Sequence, residues 1–271
     1  MGNIIPASLE AKVKKRAIPL FCNFALTWRC NHRCIHCHPY LPRSKELSTQ
    51  EIKDALGQLD ALGCFFLTFT GGEPLLRPDF LEIAKVAKKF SFALFLHTNG
   101  SLVTHELARK IKELGFVQVQ VNLLGASAKI HDRIAGVRGS FKKAINTIEY
   151  LKREGVAVIL KTVLMKVNFS EFKKIIKLAT NLGVKWLITP AVFSVVDKMP
   201  VGLGLNEKQI KKLQSHISHL EPGSLGPHIR FKGKTWRSSV DNQLFHPAPV
   251  ALYNLKESLY LNISNGKLKE Y

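Results

Sequence analysis

Between Leu20 and Phe193 the spacing of apolar positions changes repeatedly: short β-branched or aromatic runs alternate with stretches whose apolar residues recur every three or four positions. The runs at Leu20–Leu26, Phe65–Thr70, Phe92–His97, Phe116–Leu123, Val156–Leu164 and Val184–Phe193 predict six strands. They are almost continuously apolar, as expected of strands covered on both faces. Amphipathic helices fill the gaps. Ser48 and Glu51 form a capping box ahead of Ile52, Ala55, Leu56, Leu59 and Leu62, and Gly63 stands where a helix should stop. Gly115, Gly155 and Gly183 mark similar stops. Ser140 and Ser170 are expected N-caps of two later helices, with apolar stripes at Ala144, Ile145, Ile148 and Leu151 and at Phe172, Ile175, Ile176 and Ala179. The alternation predicts an α/β fold with a parallel sheet.

The rhythm breaks after about Pro200. One helix is expected after Asn206, then a stretch marked by Pro222, Gly223, Gly226, Pro227, Gly233, Pro247 and Pro249, and finally a hairpin of Ser258–Ile263 and Lys267–Lys269 around Asn265-Gly266. The expected organisation is a basic leader over residues 1–19, a core domain over 20–196 and an appendage over 197–271. The Met-Gly start lacks the Ser or Thr that myristoylation requires, because position 6 is Pro6. The basic run Lys12 to Arg16 and the apolar Ala17 to Leu26 imitate a signal peptide but lead into Trp28-Arg29-Cys30 without a small-residue cleavage site. No apolar run approaches the roughly 18 residues of a membrane helix. The expectation is a soluble, cytoplasmic protein with no membrane partner.

Composition adds little about fold but something about partners. With 271 residues, 46% hydrophobic and 22% charged, the chain is of ordinary globular type, which excludes a disordered or fibrous one. The 40 Lys and Arg against 20 Asp and Glu leave +20, which keeps an acidic partner, including nucleic acid, in view. Many of these lysines, such as Lys110 and Lys112 or Lys173, Lys174 and Lys177, fall at helical spacing on outward faces, where charge usually serves solvation. Five cysteines is an odd number, and three of them crowd into one short segment, so a reducing compartment is expected.

That segment, Cys30-Asn-His-Arg-Cys34-Ile-His-Cys37, directly follows the first strand, where parallel α/β folds build their sites. Three thiolates there suit a 4Fe-4S cube that keeps one iron free of protein ligands. The competing interpretation is a Cys3His zinc site completed by His32, His36 or His38. Simple burial fits less well, since Arg29, Asn31, His32, Arg33 and His36 form no apolar face. Burial is preferred for Cys22 and Cys64, which lie in apolar runs.

The Cys-x3-Cys-x2-Cys loop resembles the radical S-adenosylmethionine (radical SAM) superfamily, and Thr27-Trp28-Arg29-Cys30-Asn31-His32-Arg33-Cys34 resembles its SPASM-type, peptide-modifying branch. The second strand ends in Gly71-Gly72-Glu73-Pro74, which matches the family's Gly-Gly-Glu-Pro element, and the third in Thr98-Asn99-Gly100. Val121-Asn122-Leu123-Leu124-Gly125 and the stretch from His131 to Phe141 resemble a SPASM-type segment, with Asn122, Leu124 and Ala135 where that branch usually has Ser, Asp and Arg. Arg133 or Arg138 is a candidate to replace the lost guanidinium. The resemblance covers Leu20 to Phe193 and implies an incomplete barrel of six βα units.

What the resemblance implies is specific. Cys30, Cys34 and Cys37 would hold a 4Fe-4S cluster. His36 would pack on the adenine of SAM, and Gly71, Gly72, Glu73, Pro74, Thr98, Asn99 and Asn122 would contact the cofactor. A reduced cluster would cleave SAM into methionine and a 5′-deoxyadenosyl radical that takes hydrogen from a peptide or small-molecule substrate, with an electron donor such as flavodoxin or ferredoxin. No protein base is required for that step, and His97 and His131 are expected to be structural. SPASM-type relatives carry further cysteines for auxiliary clusters in a C-terminal domain; this chain has none after Cys64. The alternatives are radical modification of RNA or a phosphorylated metabolite, a cluster- or SAM-binding partner without turnover, and a zinc-stabilised nucleic-acid-binding module.

Overall fold

A computed structural model describes residues 20–37, 46–189, 202–217, 250–253, 261–264 and 267–270. Six parallel strands carry the fold: β1 (Phe21–Thr27), β2 (Phe66–Gly71), β3 (Ala93–Thr98), β4 (Phe116–Asn122), β5 (Ala157–Val163) and β6 (Lys185–Thr189). Helices α1 (Thr49–Ala61), α2 (Phe80–Ala87), α3 (His105–Glu113), α4 (Ala128–Ala135), α5 (Ser140–Arg153) and α6 (Phe172–Asn181) connect them. The strands lie in sequence order, from β1 beside β2 through to β6. This is the parallel α/β architecture that the six apolar runs predict, with boundaries shifted by a residue or so. The sixth run was expected to reach Phe193, and its last residues lie outside those described.

Period two along the strands sorts their side chains onto two faces. Phe24, Leu67, Phe69, Leu94, Leu96, Val119, Val121 and Leu160 are fully or almost fully buried and pack with Ile52, Leu56, Ile83, Ile111, Ile148 and Ile175 of the helices. Each such side chain contributes about 1.5–3 kcal/mol by leaving water. Cys22 and Cys64 belong to this core, as their apolar surroundings predict. The opposite positions face the concave inside of the sheet, hereafter the lumen. At its N-terminal end Phe21 stacks on Phe66 with ring centroids 4.5 Å apart, and Phe66 meets Phe95 at 6.1 Å, giving an aromatic floor.

Helix ends show where local reasoning holds. Ser48 Oγ accepts from Glu51 N, and Glu51 Oε2 accepts from Ser48 N at 2.7 Å, so the expected capping box is present. Gly63, Gly115, Gly155 and Gly183 all adopt positive φ just past a helix. The two expected serine caps are not formed. Ser140 is the first residue of α5, and Asp132 of α4 does the capping from outside. It accepts from Gly139 N at 2.6 Å, Phe141 N at 2.8 Å and Ser140 Oγ at 2.9 Å. Ser170 lies inside a 3-10 turn, Lys166–Glu171, and α6 starts only at Phe172. Buried Asn168 holds that turn by accepting from Met165 N and donating to Leu124 O and Val163 O.

Beyond the core, α7 (Glu207–Ile217) forms where a helix is expected after Asn206, with Leu213 packed against Leu164, Phe172 and Ile188. A strand β7 (Val250–Tyr253) pairs antiparallel with β1, so this part of the expected appendage extends the main sheet. Strands β8 (Leu261–Ser264) and β9 (Lys267–Glu270) pair antiparallel, as the hairpin signal predicts; its Asn265-Gly266 turn and the leader over 1–19 lie outside the described residues. No helix among the described residues is long and apolar enough to cross a membrane.

A candidate cluster and cofactor site at the rim of the barrel

The residues singled out in the sequence follow the C-terminal ends of β1 to β4, which places them along one edge of the sheet, where parallel α/β folds bind ligands. The cysteine loop leaves β1 at Thr27 and is held on both sides by main chain. On one side Gly72 N donates to Thr27 O at 2.7 Å and Glu73 N donates to Arg29 O at 2.8 Å. A Cβ on Gly71 would sit 2.3 Å from Thr27 O, and one on Gly72 2.3 Å from Arg29 O. The glycine pair is therefore required so that two rim loops can touch, in addition to any approach to a ligand. On the other side Arg33 N donates to Ala135 O at 2.9 Å and Ile35 N to Ile134 O at 3.0 Å, with Gly136 tight against Arg33 O. Ala135 is thus a buried backbone clamp, while Arg133 and Arg138 are both exposed.

Glu73, Thr98 and Asn99 form one hydrogen-bonded unit. The fully buried Glu73 carboxyl accepts from Thr98 Oγ1 at 2.9 Å, Asn99 N at 2.7 Å and Leu75 N at 3.2 Å. Burial raises it from the ordinary 4.5 to about 7, against the pull of those three donors. Three of its lone-pair positions are thus taken, leaving one for a ligand cation. Asn99 Nδ2 donates to Asn31 Oδ1 at 2.8 Å and lies 3.9 Å from Cys30 Sγ, tying the end of β3 to the cysteine loop. Pro74 is buried at the start of the 3-10 turn Pro74–Leu76 and sets the direction of the chain leaving Glu73.

The three thiols influence one another electrostatically. Burial pushes Cys34 up to about 12, with further contributions from Cys37 and Cys30, and raises Cys37 with help from Cys30. Among the described residues no three His, Cys, Asp or Glu side chains gather tightly enough for a single metal ion. His38, one of the ligands suggested for a zinc site, lies outside the described residues. A 4Fe-4S cluster suits the donor set: Cys30, Cys34 and Cys37 would hold it, and its iron would relieve the mutual repulsion that disfavours three bare thiolates. Cys30, Cys34 and Cys37 therefore fit such a group.

Two expected cofactor contacts face inward. Asn122 lies at the end of β4 on the lumen face and makes no side-chain hydrogen bond among the described residues. His36 has a buried Nδ1 without a partner; burial and then the charge of Lys161 lower it to about 4. A neutral imidazole with an orphaned ring nitrogen suits contact with a heteroaromatic ligand. His131 Nδ1 accepts from Leu124 N at 3.1 Å, while its buried Nε2 has no partner among the described residues.

Sequence reasoning missed several participants. Glu46 accepts from Thr27 Oγ1 at 2.6 Å and Trp28 N at 3.0 Å, bracing the root of the cysteine loop. Buried Arg77 donates to Leu26 O and Leu47 O and pairs with Asp79 through two nitrogens. Lys161 sits within the fifth apolar run, where a lysine interrupts the pattern visibly in the sequence.

The profile of the Radical SAM superfamily matches residues 25–179. The AdoMet-dependent heme synthase of Oleidesulfovibrio alaskensis is 36% identical over 161 residues, covering 58% of this chain and 42% of that protein. Mycofactocin maturase MftC of Mycobacterium tuberculosis is 31% identical over 192 residues, covering 70% of this chain and 49% of that protein. The chain thus spans about half the length of the curated relatives it matches. Among solved structures, Streptococcus suis SuiB bound to S-adenosylmethionine has the same fold, with a TM-score of 0.64 at 16% identity, covering 82% of this chain and 56% of that one.

Proposed function

The chain belongs to the radical SAM superfamily, and from that premise we propose that it holds a 4Fe-4S cluster on Cys30, Cys34 and Cys37 and uses it to cleave SAM and oxidise a substrate in the lumen. The observation that carries this is the mounting of the three thiols: one loop, at the C-terminal end of β1, clamped by the Gly71-Gly72-Glu73 main chain and by the end of α4. When bound, the cluster supplies the electron that splits SAM into methionine and a 5′-deoxyadenosyl radical. The chain's own residues position and shield. The Gly72 and Glu73 backbone bonds fix the cysteine loop, the free lone pair of Glu73 receives the methionyl ammonium, and Thr98 and Asn99 hold that carboxyl in place. Asn122 and His36 receive the ribose and adenine. The Phe21, Phe66 and Phe95 rings give the far end of the lumen an apolar lining.

The substrate is a peptide or a small molecule. The likeness to a maturase supports the peptide. An electron donor of flavodoxin or ferredoxin type completes the reaction. Anaerobic reconstitution with iron and sulfide, followed by dithionite reduction and chromatography, tests the proposal. Wild type should carry about four irons and form 5′-deoxyadenosine from SAM, and Cys34→Ala should lose both. Wild type that takes up one zinc, or a cluster with no deoxyadenosine, would refute it.

A further inference from the structure

None of the six parallel strands contains an Asp or Glu, and they hold just two lysines, Lys161 and Lys185. Lys185 opens β6 and is exposed, as a strand-end lysine usually is. Lys161 is different. It lies in the second half of β5, and its neighbours Leu160 and Thr162 turn toward the helices, so its side chain enters the lumen. In register it stands beside Asn122 on β4 and Leu187 on β6. Among the described residues its ammonium makes no hydrogen bond and no ion pair.

The surroundings are polar without being acidic. Gln120, one step down β4 on the same face, has a buried Oε1 with no partner. His97 of β3, paired with Gln120, shares that face and feels the Lys161 charge. Burial and that charge lower His97 to about 3, so it is neutral, and burial likewise lowers Lys161. Desolvating an ammonium with no counter-charge is costly, and a position that carries one is stabilised when an anion arrives.

We propose that Lys161 is the anchor for a carboxylate carried by the substrate, received in the lumen beside Asn122, with the Gln120 amide as a second contact. Charge matching selects the class. One ammonium among neutral groups balances the single charge of one carboxylate, whereas a phosphate concentrates nearly two charges on one group and calls for further cations or a helix N-terminus; the second carboxylate of a dicarboxylate is left to solvent at the rim. The proposal rests on the lumen being the substrate chamber, as argued above.

The test uses the full chain with its cluster reconstituted and SAM present, titrated with glutarate by calorimetry, with glutaramide as the neutral control. Wild type should bind glutarate saturably and ignore glutaramide. Lys161→Met should weaken glutarate at least about tenfold, and Lys161→Arg should retain most of the binding. A second arm compares SAM with decarboxylated SAM: both should bind Lys161→Met as well as they bind wild type. Equal glutarate binding by wild type and Lys161→Met would overturn the proposal. So would a loss of SAM but not of decarboxylated SAM affinity in Lys161→Met, which would assign the ammonium to the cofactor's own carboxylate. If SAM leaves the cluster's EPR spectrum unchanged in wild type, it is the proposed function that fails, and the glutarate titration still decides the role of Lys161.

Discussion

The two faces of the same strands are built to different rules. On the helix side Leu94, Leu96, Val119, Val121 and Leu160 are packed to near-zero exposure among apolar partners. On the lumen side, one residue along, stand His97, Gln120, Asn122 and Lys161, with Gln120 Oε1 unpartnered and Lys161 unpaired among the described residues. Native interiors rarely tolerate such groups without partners, so their concentration on one face separates the part of the sheet that folds the chain from the part that meets ligands.

Substitutions at neighbouring positions sharpen the contrast. The largest effect is expected on the helix side: Leu160→Ala should cost about 2–5 kcal/mol in urea unfolding, as buried leucines do. A cost under about 1 kcal/mol would show that this face is not the core. Asp132→Ala removes the outside cap of α5 and should cost about 1–2 kcal/mol, with no comparable loss in Ser140→Ala. Glu73 belongs to the ligand side, and its effect should be confined to a pH window. Its folded value of about 7 lies above the ordinary 4.5, so the folded chain keeps a proton that the unfolded chain gives up. That contribution is fully present below about 4.5 and is lost as pH rises through about 7. Glu73→Gln should flatten this decline when unfolding is followed across pH, and an unchanged slope would place the proton elsewhere. The smallest effect is expected beside Leu160: Lys161→Met should leave the melting temperature unchanged or raise it, because an uncompensated charge leaves the lumen. A large drop in Tm would mean that Lys161 is structural and would break the contrast between the two faces.

What could be read in the sequence was local or periodic. The six apolar runs, the Ser48 and Glu51 box and the glycine stops are fixed by residues a few positions apart. The cysteine triplet and Gly71-Gly72-Glu73 were legible as motifs, although the contact between them, through Thr27 O and Arg29 O, was not. The rest depends on partners distant in the chain. Asp132 outcompetes Ser140 as a cap because α4 ends beside the start of α5, and Ala135 holds Arg33 through a carbonyl that no side-chain pattern announces. Lys161 was visible as a charge inside an apolar run. Its meaning required knowing that no acidic residue in any of the six strands accompanies it.

The most direct measurement is EPR of the reconstituted, dithionite-reduced protein with and without SAM. A reduced 4Fe-4S signal whose g values shift on addition of SAM is expected, with no such signal in Cys34→Ala. A cluster signal indifferent to SAM, or no cluster at all in the wild type, would contradict it.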